Sequence, residues 1–352
     1  MKTQLGRIAT ATILGLGLFW TAGTAMASGP TKMNVVGTWV NVENYEKFEK
    51  PYWNETLAKN TGGAVTGQIK AVTELGLKGF EVLRLLKTGV YDYAHGLFTY
   101  VSSENPVYEG PDLASVIQSF EVQKKVADAY FPTLEKAVAK NFNAKLMQIY
   151  TFPSQVFFCR IPITGIGDLK GKKIRVFATT LGDFVEGVGG VSVTVPFGEV
   201  IPALEKGVVD CAITGTMPGY QAKWHQVATH LYTMRVGMAV SFGAINMNKW
   251  NALGKKNQEI LTADLKKMTD GMWAYNSKLD SEAVACLSGG ACSFGPAGKM
   301  VHVAPSAADL AVRDKIAAEV VLPRWAKRCG KACAEDWNKT VGAVLNMKAA
   351  AK

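Results

Sequence analysis

The sequence predicts an α/β fold in two lobes, from three observations. Apolar strand segments alternate with amphipathic helical ones, as in domains built on a largely parallel sheet. The alternation occurs twice, from Met33 to Ala94 and again from Thr151 to Thr214. A further apolar strand, Met238 to Met247, then follows and is suited to carry the chain back to the first set.

The opening residues stand apart from this pattern. Lys2 and Arg7 precede an apolar run from Ile8 to Trp20 and the small-residue triplet Ala25-Met26-Ala27. That order predicts a secretory signal peptide over 1–27, cleaved after Ala27 to leave Ser28 as the mature N-terminus. The run is too short for a stable membrane span. Its removal leaves 325 of 352 residues and lowers the formal charge from +10 to +8. A length of that size predicts two domains. Export, together with the absence of any cluster of five basic residues, argues against a nucleic-acid partner.

In the first set, a strand over Met33–Val40 is followed by a Glu- and Lys-rich helix over Val42–Lys59. After Gly62-Gly63 comes a strand over Val65–Val72. Phe80, Leu83, Leu85 and Leu86 mark a helix that ends at Gly89, before a short strand from Tyr91 to Ala94. The second set runs strand Val156–Arg160, turn Ile163–Lys170, strand Lys173–Phe177, a helix through Phe184 to Val188, strand Val191–Val195, helix Glu199–Lys206 and strand Val209–Thr214. Two lobes imply a cleft, and strands crossing between them imply a hinge. Ligands of such sheets sit beyond the strand C-termini. The limits expected are 28–152 plus 241–280 for lobe I and 153–240 plus 281–345 for lobe II, with 346–352 as a tail.

The most regular helical segment follows Gly254, where Leu261, Leu265, Met268, Met272, Tyr275 and Leu279 recur at steps of four and three. Over 257–287 it predicts a helix of about 45 Å at 1.5 Å per residue, long enough to pack on both lobes.

In an oxidising compartment the six cysteines favour disulfides. Short local bridges are expected for Cys286–Cys292 and Cys329–Cys333, whose loops contain glycine. For Cys159 and Cys211 the sequence favours buried free thiols, with mutual pairing left open. The four C-terminal cysteines do not form two paired C-x-x-C knuckles, which argues against zinc.

Catalytic and cofactor motifs are missing from the chain. It has no G-x-S-x-G, no H-E-x-x-H and no G-x-x-x-x-G-K-[ST]. His225 and His230 are five apart and diverge on a helix. Gly187-Val188-Gly189-Gly190 stands after a helix and before a strand, the reverse of a dinucleotide site, and reads as a helix C-cap and turn. No cofactor is expected.

Arg175 is the exception to a bland inventory. In Pro162-Ile163-Thr164-Gly165-Ile166-Gly167-Asp168-Leu169-Lys170-Gly171-Lys172-Lys173-Ile174-Arg175-Val176, a turn leads into an apolar strand that holds one buried cation. An uncompensated buried charge costs several kcal/mol, so it needs a partner. Spacing alone favours an internal carboxylate over a ligand anion.

That block, with Val195-Pro196-Phe197-Gly198-Glu199-Val200 and Ala203-Leu204-Glu205-Lys206-Gly207-Val208-Val209-Asp210, resembles the DctP-type solute receptors of tripartite ATP-independent periplasmic (TRAP) transporters. The likeness is specific over 150–255 and looser over 33–149, where Leu86-Lys87-Thr88-Gly89-Val90-Tyr91-Asp92 matches. The resemblance implies a two-lobed periplasmic binding protein fold with hinge strands and a long helix spanning both lobes. It also implies a periplasmic location, an organic acid as ligand and membrane permease subunits as partners. By the same resemblance Arg175 pairs with the ligand carboxylate, Gln155 is a polar contact, and Phe197 is an aromatic wall. Thr214 stands where relatives have Asn or a Trp-Glu pair, and Cys211 replaces a common glycine. Phe157 and Trp39, with Phe197, point to an apolar or aromatic body on a monocarboxylate or hydroxy/keto acid, and His95 completes the candidate site as a hydrogen-bonding side chain beside Gln155 and Thr214. Rival readings are the receptor of an ATP-driven importer, which would lack the Arg175 block, and a periplasmic enzyme, for which no nucleophile and base pair is evident.

Overall fold

The computed structural model describes residues 29–351, so the signal peptide expected over 1–27 and the mature N-terminus at Ser28 lie outside the described residues. In chain order the strands are β1 (Thr31–Gly37), β2 (Val65–Ala71), β3 (Tyr93–Leu97), β4 (Ala144–Tyr150), β5 (Gln155–Cys159), β6 (Lys173–Val176), β7 (Val191–Thr194), β8 (Cys211–Gly215), β9 (His230–Tyr232), β10 (Ser241–Asn246) and β11 (Val301–Val303).

They form two sheets, ordered β2-β1-β3-β10-β4 and β11-β9-β5-β8-β6-β7. In the first, β1 runs parallel to β2 and β3, while the returning β10 is antiparallel to β3 and β4. The crossing anticipated for 238–247 therefore places β10 inside the first lobe. In the second, β6 is parallel to β7 and β8, and β5 runs antiparallel to β8 and β9. Helical segments cover both sheets. Among them Phe120–Phe142, which the sequence reading passed over, is started by the Ser119 side chain accepting from Val122 N and ended by Asn143 at φ 45°. Gly189 at φ 82° makes the turn expected after the helix Thr179–Gly187.

The long helix runs from Lys255 to Leu287, about 50 Å at 1.5 Å per residue. Leu261, Leu265, Met268 and Met272 bury against the first lobe, where the Trp273 indole donates to Ile149 O at 2.9 Å. Further along, Leu279, Ala283 and Leu287 bury in the second-lobe core, and Asp280 accepts from Thr216 Oγ1 at 3.0 Å. One helix thus splints both lobes.

The C-terminal segment departs from the limits expected for lobe II. Residues 307–321 do pack on the second lobe, 307–316 against the turn Ile166–Leu169 and 317–321 against the helix Thr179–Gly187. Beyond Leu322, however, the chain also docks on the first lobe, where Trp325 Nε1 donates to Pro106 O and Trp337 Nε1 to Gly110 O, both at 2.8 Å, while Arg324 and Arg328 still pair with Glu186 and Asp183 of the second-lobe helix. The final residues fold back as well, with Ala349 buried and its N–H donating to Asn338 Oδ1 at 2.7 Å.

Disulfides join Cys286 to Cys292 and Cys329 to Cys333. The free thiols favoured for Cys159 and Cys211 are corrected to a third bridge. These residues face each other directly in the β5–β8 ladder, a proximity set by tertiary register and invisible in their 52-residue separation.

Candidate functional site

Between the lobes lies a cavity with about 330 Å³ of unoccupied space, counting its mouth. The first lobe contributes Trp39 and Val42 after β1, and Leu97 and Tyr100 at the end of β3. The crossing segments contribute Phe152 and Ala239. From the second lobe come Gln155, Arg175, Phe177, Phe197, Thr214, Gly215 and Pro218. Most stand at or just beyond the C-terminal ends of β1, β3, β6 and β8, where parallel strands leave a crevice between their connections.

Arg175 is 1% exposed in β6, flanked by Ala212 of β8 and Val193 of β7. Its Nε donates to Val195 O at 2.9 Å and Nη1 to Ile213 O at 2.6 Å, using two of five N–H donors. The Tyr100 hydroxyl stands beside it, and its phenol pKa is raised by burial with the guanidinium opposing. Phe177 and Trp224 cover the guanidinium, with ring centres 4.9 and 5.7 Å from Cζ. Burial lowers the Arg175 pKa to about 10, which leaves it cationic at neutral pH. Among the described residues no carboxylate pairs with it. The internal carboxylate favoured by spacing is absent among the described residues.

The rest of the lining is largely aromatic. Phe197 lies 5.4 Å from both Trp39 and Trp224, and Trp39 reaches Tyr100 and Phe152 at 6.0 Å. Gln155 donates through Nε2 to Pro153 O at 2.9 Å, and Thr214 is 5% exposed at the end of β8.

Of the seven candidates read from sequence, Arg175, Gln155, Phe197, Thr214 and Trp39 come together here. Phe157 and His95 do not. Phe157 is fully buried between Phe184 and Tyr232, because β5 is a central strand with core on both faces. His95 lies inside the first lobe, accepting from Trp53 Nε1 at 2.9 Å. An indole N–H only donates, so His95 Nε2 is the bare nitrogen and Nδ1 carries the proton toward Tyr150 Oη at 3.2 Å. Burial lowers its pKa to about 3. Tyr100, Phe152 and Phe177 went unread. Phe177 was accessible by strand parity, two residues after Arg175, whereas nothing local marks Tyr100 or Phe152.

The model for bacterial extracellular solute-binding protein, family 7 (DctP), matches residues 40–302. A monocarboxylate 2-oxoacid-binding periplasmic protein from Nostoc sp. is 27% identical over 261 residues, covering 69% of this chain and 68% of that protein. Among solved structures, a TRAP periplasmic solute binding protein from Desulfovibrio salexigens with bound orotic acid is 18% identical with a TM-score of 0.78, covering 89% of this chain and 99% of that one. A marine metagenome TRAP solute binding protein specific for pyroglutamate is 19% identical with a TM-score of 0.78, over 91% of this chain and all of the other. At such identities these structures speak to the two-lobed α/β fold, while the family match spans most of the sequence. The chain belongs to the DctP family of bacterial extracellular solute-binding proteins, family 7.

Proposed function

We propose that this protein is the periplasmic receptor of a TRAP transporter, which captures a small monocarboxylate in the interlobe cavity and delivers it to a membrane permease. One observation carries the reading. Arg175 is a buried cation with no protein carboxylate among the described residues, and it sits in a cavity otherwise walled by aromatic rings. A ligand carboxylate supplies the missing charge and takes the unused N–H donors of the planar guanidinium. Phe177, Phe197 and Trp39 then flank an apolar or planar body, with Gln155 and Thr214 as polar contacts. The ligand bridges both lobes and so favours the closed state over the open one. The Nostoc relative, a monocarboxylate 2-oxoacid-binding protein, and the two solved structures, one with bound orotic acid and one specific for pyroglutamate, support this ligand class.

A thermal-shift panel of pyruvate, 2-oxobutanoate, pyroglutamate and orotate, with their amides as controls, tests it. A carboxylate that binds the folded state raises Tm by mass action, and its amide does not. No shift with any carboxylate across the panel counts against the reading.

A further inference from the structure

Two chain segments cross between the lobes, Tyr150–Gln155 and Val236–Ser241, and they are paired to each other. Gln155 N donates to Gly237 O at 2.8 Å, Val236 N to Gln155 O at 3.0 Å, and Phe152 N to Met238 O at 3.0 Å. The Thr151 hydroxyl also donates to Met238 O. This pairing consumes the carbonyls of Gly237 and Met238. It leaves the N–H groups of Met238 and Val240 without a strand partner, in a segment that is buried.

Both N–H groups turn to one carboxylate. Met238 N donates to Asp112 Oδ1 at 3.2 Å and Oδ2 at 3.4 Å, and Val240 N donates to Oδ2 at 3.2 Å. Asp112 is itself buried, and among the described residues its charge is met by backbone N–H groups rather than by a cation. Between the two donors lies Ala239, a cavity residue, held in the left-handed region at φ 52°. An L-residue rarely adopts that conformation without something outside it to enforce it. Gly237 fits the same clamp: its φ is 155°, and a Cβ there would lie 3.3 Å from Asp112 Oδ1.

We propose that Asp112 is a positioning residue for the ligand site, which fixes the second hinge segment so that Ala239, and Gln155 paired to Val236 and Gly237, hold their places in the cavity that Arg175 lines. The inference rests on the receptor reading above. A carboxylate suits this position because both its oxygens only accept. An asparagine has one acceptor oxygen: with it at the Oδ2 position Val240 N keeps its bond, while Met238 N loses its 3.2 Å acceptor to an opposing N–H and retains only the 3.4 Å contact.

The experiment uses the full mature chain and two readouts. In calorimetry with the tightest binder among pyruvate, 2-oxobutanoate, pyroglutamate and orotate, Asp112→Asn is expected to weaken affinity about tenfold, the scale of one lost buried hydrogen bond. Adding Ala239→Gly, which takes the left-handed conformation freely, is expected to recover affinity to within about threefold of the Ala239→Gly single variant. A loss of general stability would not be rescued at that position. Unchanged affinity in Asp112→Asn, or a loss that Ala239→Gly leaves in place, overturns the proposal.

The second readout is hydrogen exchange on ligand-free protein, which decides the matter even where no panel member binds wild type and the receptor reading itself fails. Asp112→Asn is expected to accelerate exchange in peptides covering 236–241 with the two sheets unaffected. Unaltered exchange there overturns the proposal. Where Asp112→Asn does not fold, Gly237→Ala presses on the same carboxylate from the hinge side, and the same two outcomes apply to it.

Discussion

The Arg175 guanidinium carbon lies 4.9 Å from the centre of the Phe177 ring, although the two residues are separated by a single position along β6 and its extension. Strand parity puts both side chains on the same face. The ring thereby covers one face of the cation and leaves an edge for a ligand. Phe177→Leu keeps the apolar bulk but removes the π face. Affinity for the carboxylate should fall by about 0.5–2 kcal/mol, the range of a desolvated cation–π contact. Calorimetry that returns wild-type affinity would assign the ring to packing alone.

The three disulfides should differ in weight. On the chain-entropy relation, closing the 52-residue separation of Cys159 and Cys211 contributes about 4 kcal/mol, whereas the six-residue separation of Cys286 and Cys292 contributes about 2. Denaturant unfolding of the two double Cys→Ala variants checks the order. An equal or reversed loss would show that the buried cross-strand bridge adds less than its loop length implies.

Glu49 gives a pH dependence with a defined sign. It is fully buried, accepts from Thr38 N at 2.7 Å, Thr38 Oγ1 at 3.0 Å and Tyr150 Oη at 3.3 Å, and has the neutral His95 as its nearest basic group. Burial raises its pKa to about 7 against an ordinary 4.5, with the hydrogen bonds opposing. The folded state therefore keeps this proton where the unfolded chain has released it. The contribution to stability is fully present below about 4.5 and is lost as pH rises through about 7. Glu49→Gln should gain stability relative to wild type between pH 5 and pH 8. A difference that stays flat over that interval would contradict the shift.

Across the cleft mouth, Glu43 and Gln221 form a reciprocal pair next to the cavity residue Val42. Glu43 N donates to Gln221 Oε1 at 3.2 Å, and Gln221 Nε2 donates to Glu43 Oε1 at 3.0 Å. Tyr275 of the long helix donates to the other Glu43 oxygen at 2.6 Å. The pair joins the first-lobe segment after β1 to the second-lobe helix Thr216–Gln221, so on the proposed mechanism opening of the lobes would break it. Gln221→Ala should speed ligand dissociation about threefold to tenfold, at roughly 1 kcal/mol per net hydrogen bond. Stopped-flow rates equal to wild type would remove the latch from the closing mechanism.

Much of this architecture was legible because strand and helix periods are local properties. The alternation around Met33–Ala94 and Thr151–Thr214 required only neighbouring residues, as did the stripe along Lys255–Leu287. Arg175 stood out because one cation among apolar strand residues conflicts with its surroundings. What remained hidden depended on tertiary register. Cys159 and Cys211 meet only because β5 and β8 are neighbours at that register. Gln155 and Phe157 share strand parity, yet only Gln155, at the strand end, reaches the cavity, while Phe157 is enclosed by helix and sheet. The docking of 322–345 against the first lobe, seen in the bonds of Trp325 to Pro106 O and Trp337 to Gly110 O, is a tertiary contact that no local pattern announces.

The reading turns on whether the Arg175 guanidinium meets a ligand carboxylate, and calorimetric titration of wild type against Arg175→Lys measures this most directly. Lysine keeps the charge but loses the planar fork, so affinity should fall by about 1.5–3 kcal/mol, the scale of a hydrogen bond to a charged group. If Arg175→Lys, and then Arg175→Ala, bound the carboxylate as tightly as wild type, Arg175 would be a structural cation for the Val195 and Ile213 carbonyls, and the ligand assignment would lose its basis.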